Sequence, residues 1–202
     1  MKMFNQASFD IFNIDGLENR MNAIRKDIQP IFLELWQNLL PDINMDTNLD
    51  LYIHIAQHLR RTTNAPENTW SAISTSKRGY KNQPHFQIGI WHEYVFVYLS
   101  MIDQPKNEIF LAQTLMNNLS MLNKLPNDFV YSTDHTKPDY YKLNDNLEHN
   151  LVRFKNIKKA EFEVGRVFKS DNLIWQSKDE VYFLIKDTIN ELLPIYNLLI
   201  KV

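Results

Sequence analysis

Arg60, Arg61, Lys77, Arg78 and Lys81 lie between residues 54 and 85, with Glu67 as the one acid among them. The full chain has a formal charge of −2, so an anion site has to come from such local clustering and not from net charge. Arginine forks fit carboxylate and phosphate. A solvated charge run has the same composition, but the histidine, aromatic and amide residues nearby combine hydrogen-bonding tips with stacking surface, as ligand grooves do. The expectation is an anionic ligand, either a phosphorylated small molecule or single-stranded nucleic acid. His54, His58, Arg60, His85 and Gln87 would form the floor, and Arg61, Lys77, Arg78, Tyr80 and Lys81 the rim. Trp70 and Tyr80 read equally well as groove walls or core.

A second group is "STDHTKPD", residues 132–139, which gathers Asp134, His135, Lys137 and Asp139. An aspartate beside a histidine can orient the imidazole and tune its proton affinity, although the same residues also make an ordinary polar turn. Glu161 and Glu163 share one side of a strand. That suits paired-carboxylate chemistry and equally a solvated face. "HIAQH" spaces His54 and His58 as zinc-binding helices do, but Ile55 stands where a metalloprotease needs glutamate. Read as a strand, the two imidazoles are about 13 Å apart, so no metal site is expected. Two other functions remain open. One is an enzyme using His135 with Asp134, or His54 or His85, as general acid–base. The other is a regulatory or scaffold protein docking a protein partner.

Several chemistries are excluded outright. The four glycines, at 16, 79, 89 and 165, are too scattered for a dinucleotide fingerprint or a phosphate-binding loop. With no cysteine there is no disulfide, thiolate metal site or cysteine nucleophile. No G-x-S-x-G elbow is present, and no cofactor is indicated. The first twenty residues lack an unbroken apolar stretch and a small-residue cleavage site, and nothing reaches membrane-spanning length. A cytoplasmic protein is expected, its oligomeric state open.

The elements that position these residues follow from periodicity. Leu17, Met21, Ile24, Ile28, Ile31 and Leu35 keep helical spacing; Pro30 predicts a kink near residue 29, and "PDINMDTN" closes the helical region. Residues 49–61, 69–75, 84–91 and 94–101 alternate as strands. If Trp91 pairs with Tyr94, then Ile90, Ile88 and Phe86 meet Val95, Val97 and Leu99 on one face. Gln87 then meets Tyr98, and Gly89 lies beneath Phe96, on the other face. Pro105 opens a helix through Leu122, residues 128–132 form a short strand and residues 145–155 a short helix. Residues 158–169 alternate again, and Ser177 with Glu180 caps a last helix that Pro194 interrupts. With 44% hydrophobic residues the chain can bury a full core. The result is an α+β fold, residues 1–202 forming a single domain. Its sheet is mainly antiparallel with about six strands, and helices pack on one face.

"DGLENRM", the long run "HIAQHLRRTTNAPENTWSAISTSKRGYKNQPHFQIGIW", "FVYSTDHTKPD", "KKAEF" and "LLPIY" together resemble the YktB-like family of bacterial proteins. The resemblance covers nearly the whole chain and implies a single α+β domain from a Gram-positive bacterium. It supplies no activity or catalytic residues to carry over.

Overall fold

Period-two alternation produces strands at Tyr52–Ile55 (β1), Asn68–Ser74 (β2), His85–Trp91 (β3) and Tyr94–Met101 (β4). Val130–Ser132 (β5), Tyr141–Lys142 (β6) and Phe162–Lys169 (β7) complete the sheet. The structure is a computed structural model and describes residues 1–102 and 105–201. Its seven strands run antiparallel in the order β1-β2-β3-β4-β7-β5-β6. The strand beyond the six expected is the two-residue β6, which falls at the end of the segment where a polar turn is expected.

The hairpin register is the one that apolar sorting requires. Ile90 faces Val95, Ile88 faces Val97 and Phe86 faces Leu99, with Gln87 opposite Tyr98 and Gly89 opposite Phe96. A Cβ at Gly89 would lie 2.1 Å from the Phe96 ring, so the missing side chain is what lets that ring lie across the strand.

Seven α-helices accompany the sheet: Gln6–Asp10 (α1), Leu17–Ala23 (α2), Gln29–Thr47 (α3), Glu108–Asn117 (α4), Leu119–Leu122 (α5), Leu147–Asn156 (α6) and Lys178–Leu199 (α7). Phe32, Leu35, Trp36 and Leu39 of α3 join Ile185, Ile189, Leu192 and Tyr196 of α7 in one buried cluster. The sheet contributes Ile73, Phe86, Ile88, Val97 and Leu99 to it. Each such side chain stabilises the fold by about 1.5–3 kcal/mol relative to exposure. The Trp36 indole N–H is satisfied within that core by Ser71 Oγ at 2.7 Å. Ser177 caps α7 by accepting from the Glu180 amide at 3.3 Å.

Several local expectations are refined or corrected. A π-helical turn over Ile24–Ile28 leads into Pro30, which has no N–H to offer the carbonyl four residues back. Pro41 and Pro194 sit inside α3 and α7 and do not end them. The residues that lose a backbone partner, Gln37 and Asn190, lie on the solvent side, where water can take the freed carbonyl. The strand expected over 49–61 stops at Ile55. His58 turns the chain at φ 52°, leaving Leu59 85% exposed and moving Arg60 off the sheet into an exposed turn. The helix expected from Pro105 starts at Glu108, after Asn107 in a left-handed conformation.

The face turned away from the helices is covered rather than open. Trp91, Tyr94, Phe96, Tyr98 and Val130 form a second small core there, with Trp70, Tyr140 and Val167 packed around it. The β5–β6 connection lies over it: Tyr94 Oη donates to the Pro138 carbonyl at 2.7 Å, and the Tyr140 ring meets Tyr94 edge-on at 5.4 Å.

Candidate functional site

Because β7 inserts between β4 and β5, a row of polar residues crosses four strands of the covered face. His85 pairs with Ser100, Ser100 with Glu163, and Glu163 with Ser132. Ser100 Oγ donates to Glu163 Oε1 at 2.7 Å. Glu163 is 2% exposed, and burial raises its carboxyl to about 7, so both protonation states are populated near neutrality. His85 Nδ1 lies 2.7 Å from the Gln83 carbonyl and must donate to it. In the neutral ring Nε2 is then an acceptor, and it takes a hydrogen bond from Gln87 Nε2 at 2.9 Å. Burial pushes this imidazole down to about 3. His58, which contacts Thr69 Oγ1 at 3.0 Å, is held at about 4 by burial and by the charges of Arg61 and Arg25. Burial lowers His54 as well. The three floor imidazoles are therefore neutral at pH 7.

His135 behaves in the opposite way. Its backbone N–H and its Nδ1 both lie 2.8 Å from the Glu161 carboxylate. Burial alone would lower its proton affinity, but the hydrogen bond and charge of Glu161 raise it above 6.5. With Nδ1 committed to Glu161, Nε2 is the ring nitrogen available to a ligand. Replacing Glu161 by Gln leaves only the charge of Glu163 against burial, so the His135 titration followed by NMR is expected to fall from its wild-type midpoint. An unchanged midpoint would mean that Glu161 is not the cause.

His135, Glu163, Gln87 and Tyr98 line a narrow cleft with Trp70, Trp91, Tyr94 and Phe96, leaving about 10 Å³ open inside. The Tyr98 hydroxyl is buried there and has no hydrogen-bond partner among the described residues, with the whole residue 3% exposed. An orphaned buried hydroxyl costs about 1–3 kcal/mol, which makes it a marker of a site that expects a partner. Asp134, His135 and Glu161 also bring one donor atom each within 4.8 Å of one another. Each is already engaged: Asp134 Oδ1 by Thr136 and Oδ2 by Lys137 at 3.1 Å, and Glu161 by His135.

A family model described as "Domain of unknown function (DUF1054)" matches residues 4–196. The chain belongs to the DUF1054 family. It is 49% identical over 201 residues to a UPF0637 protein of Lactococcus lactis subsp. cremoris strain SK11, covering 99% of this chain and 100% of that relative. Identity to the UPF0637 protein YsbB of L. lactis subsp. lactis strain IL1403 is 51% over 203 residues, with 99% and 100% covered. Identity to a UPF0637 protein of Enterococcus faecalis strain V583 is 46% over 199 residues, with 98% of both covered. These Gram-positive relatives agree with the YktB-like resemblance.

In this DUF1054 chain the expected site residues separate into two groups. Rings converge: Trp70 Nε1 donates to Tyr80 Oη at 2.7 Å, and Tyr80 meets His54 at 5.4 Å and His85 at 4.9 Å. Trp70 meets His58 at 5.5 Å and His135 at 6.2 Å. Lys81 is near enough for its charge to depress both His85 and His135. Four of the cations stay outside. Arg60, Arg61, Lys77 and Arg78 are exposed, Arg61 Nη1 reaching the Asn64 carbonyl at 3.4 Å and Lys77 lying over the Tyr52 ring at 5.1 Å. Asp134 serves its own turn and Lys137, so the carboxylate that orients His135 is Glu161, 26 residues away. Glu163 and Ser100 were not among the expected ligand residues. Glu163 alternates with Phe162 and Val164, but Arg166 and Lys169 share the strand, so parity alone does not mark it as buried.

No helix among the described residues is long and apolar enough to cross a membrane.

Proposed function

We propose that this DUF1054 protein binds a small molecule in the cleft between the sheet and residues 133–140, and that His135 and Glu163 move protons on it. The carrying observation is that the Glu161-bound His135 and the buried Glu163 line one cleft. Burial sets Glu163 at about 7 and Glu161 holds His135 above the ordinary imidazole value, so the imidazolium can give a proton while the carboxylate takes one. Glu161 acts as the positioning residue for His135. The test is a ligand-observed NMR panel of small metabolites of every charge type, run on the wild type and on His135→Gln. Compounds that shift the His135 and Trp70 signals and bind about tenfold more weakly to the variant support the reading. A panel with no such compound defeats it.

A second reading keeps the anionic ligand, now at the rim. The bond from Trp70 to Tyr80 ties the basic loop carrying Lys77 and Arg78 to the cleft wall, and the neutral floor imidazoles leave the attraction to the exposed arginines and lysines. A single-stranded oligonucleotide should then bind with affinity that falls steeply as salt rises, and a Lys77→Glu, Arg78→Glu double variant should abolish it. Binding insensitive to both would remove this reading.

A further inference from the structure

Three of the polar groups that line the cleft have accepting capacity to spare. Glu163 offers a carboxylate whose protein donor is Ser100. The Tyr98 hydroxyl is buried and unpartnered among the described residues. Gln87 gives one amide N–H to His85, which turns its carbonyl oxygen to the role of acceptor. Lys137 at the lining pairs with Asp134 at 3.1 Å, and His135, whose charged form Glu161 favours, has that carboxylate as its partner. The walls are the π-faces and edges of Trp70, Trp91, Tyr94, Phe96 and Tyr98, with Phe96 stacked on Tyr98 at 4.9 Å. An aromatic enclosure with a carboxylate at its base is the chemistry that recognises a cation, and an ammonium group offers three donors and no acceptor. The open interior, about 10 Å³, is at the lower limit for one water-sized group, which admits an –NH₃⁺ tip and nothing larger.

We infer that the cleft takes the ammonium tip of an alkylamine, with the remainder of the molecule outside at the mouth formed by residues 133–140. This rests on the preceding proposal that the cleft is a ligand site, and it names the ligand's charge class. The –NH₃⁺ group would donate to Glu163, to Tyr98 Oη and to the Gln87 carbonyl oxygen. A phosphate or carboxylate in the same place would face the Glu163 carboxylate, while the two basic groups at the lining, Lys137 and His135, are already paired with Asp134 and Glu161.

The experiment titrates methylammonium chloride and n-butylammonium chloride into the full-length protein at pH 7.5. Tryptophan fluorescence and the NMR signals of Trp70 and His135 are followed, with sodium chloride, sodium acetate and sodium phosphate at matched ionic strength as counterparts. Saturable binding of the two ammonium probes is expected. It should be at least about tenfold weaker in Glu163→Gln, which keeps shape and loses charge, and about threefold weaker in Tyr98→Phe. Thermal melts of both variants show whether each is folded, so loss of binding is not mistaken for loss of structure. An equal response in Glu163→Gln, or acetate or phosphate saturating the same signals more tightly, overturns the amine assignment while leaving the cleft a ligand site. If no probe of any charge saturates these signals, the amine assignment falls, and the cleft reading falls with it when the metabolite panel is also blank.

Discussion

Replacing Glu163 by Gln is expected to raise the unfolding temperature by roughly 6–12 °C at pH 8 and to change it little near pH 4.5. The carboxyl titrates at about 7 in the fold against an ordinary 4.5, because burial penalises its charge. Between those two values the unfolded chain is ionised and the folded one is not, so stability falls as pH rises through the interval. Above pH 7 both states are ionised, and a constant penalty of about 3 kcal/mol remains. The amide removes that penalty. His58 and His85 act in the other direction, since their folded values of about 4 and 3 lie below 6.5. Acidification below pH 6.5 therefore favours the unfolded chain, which takes up the protons that the folded imidazoles refuse. Glu163 partly cancels that slope in the wild type, so the acid-side loss should steepen from about 1 to about 2 kcal/mol per pH unit in the variant. Melting curves from pH 4.5 to 8.5 check both statements, and parallel curves for the two proteins would show that Glu163 is not buried as described. A variant that is more stable yet binds nothing in the cleft would have the signature of a residue kept for function at the expense of stability.

Gly165→Ala is expected to destabilise the protein by about 3 kcal/mol or more. An added Cβ would stand 1.9 Å from the Val97 carbonyl oxygen and 2.9 Å from the Tyr98 ring. The strand cannot step aside, because Gly165 is paired with Tyr98 on one side and Val130 on the other. Gly89→Ala meets a movable neighbour, the tip of Phe96, and should cost about 1–3 kcal/mol while swinging that ring out of the cleft wall. At Gly79 nothing lies within 4 Å of the new atom, so Ala there is the matched control. Urea denaturation of the three variants ranks them. Equal midpoints for Gly165→Ala and Gly79→Ala would contradict the placement of β7 beside β4.

The parts legible in the sequence were those that a period of two decides locally. Once Trp91 was set near Tyr94, parity alone put His85, Gln87, Phe96 and Tyr98 on one face and Phe86, Ile88 and Ile90 on the other, and the structure keeps that sorting. What could not be read was which strand lies beside which. Nothing near residues 158–169 signals that Glu163 will stand opposite Ser100, and a glutamate at alternate positions of a strand reads as solvated until a neighbouring strand buries it. The same gap misassigned the partner of His135, because Asp134 is adjacent in sequence whereas Glu161 is adjacent only through the sheet. His58 illustrates a different limit. Its left-handed backbone is ordinarily a glycine or asparagine conformation, so alternation ran on past Ile55 with no local cue to stop.

The strand order has a consequence for self-association. The outer margins of the sheet are β1, four residues long, and β6, two residues long. A free margin invites a foreign strand in proportion to the length of unpaired backbone it displays, and neither rim displays enough to template one. Copies of this molecule should therefore resist zipping together edge to edge even when crowded.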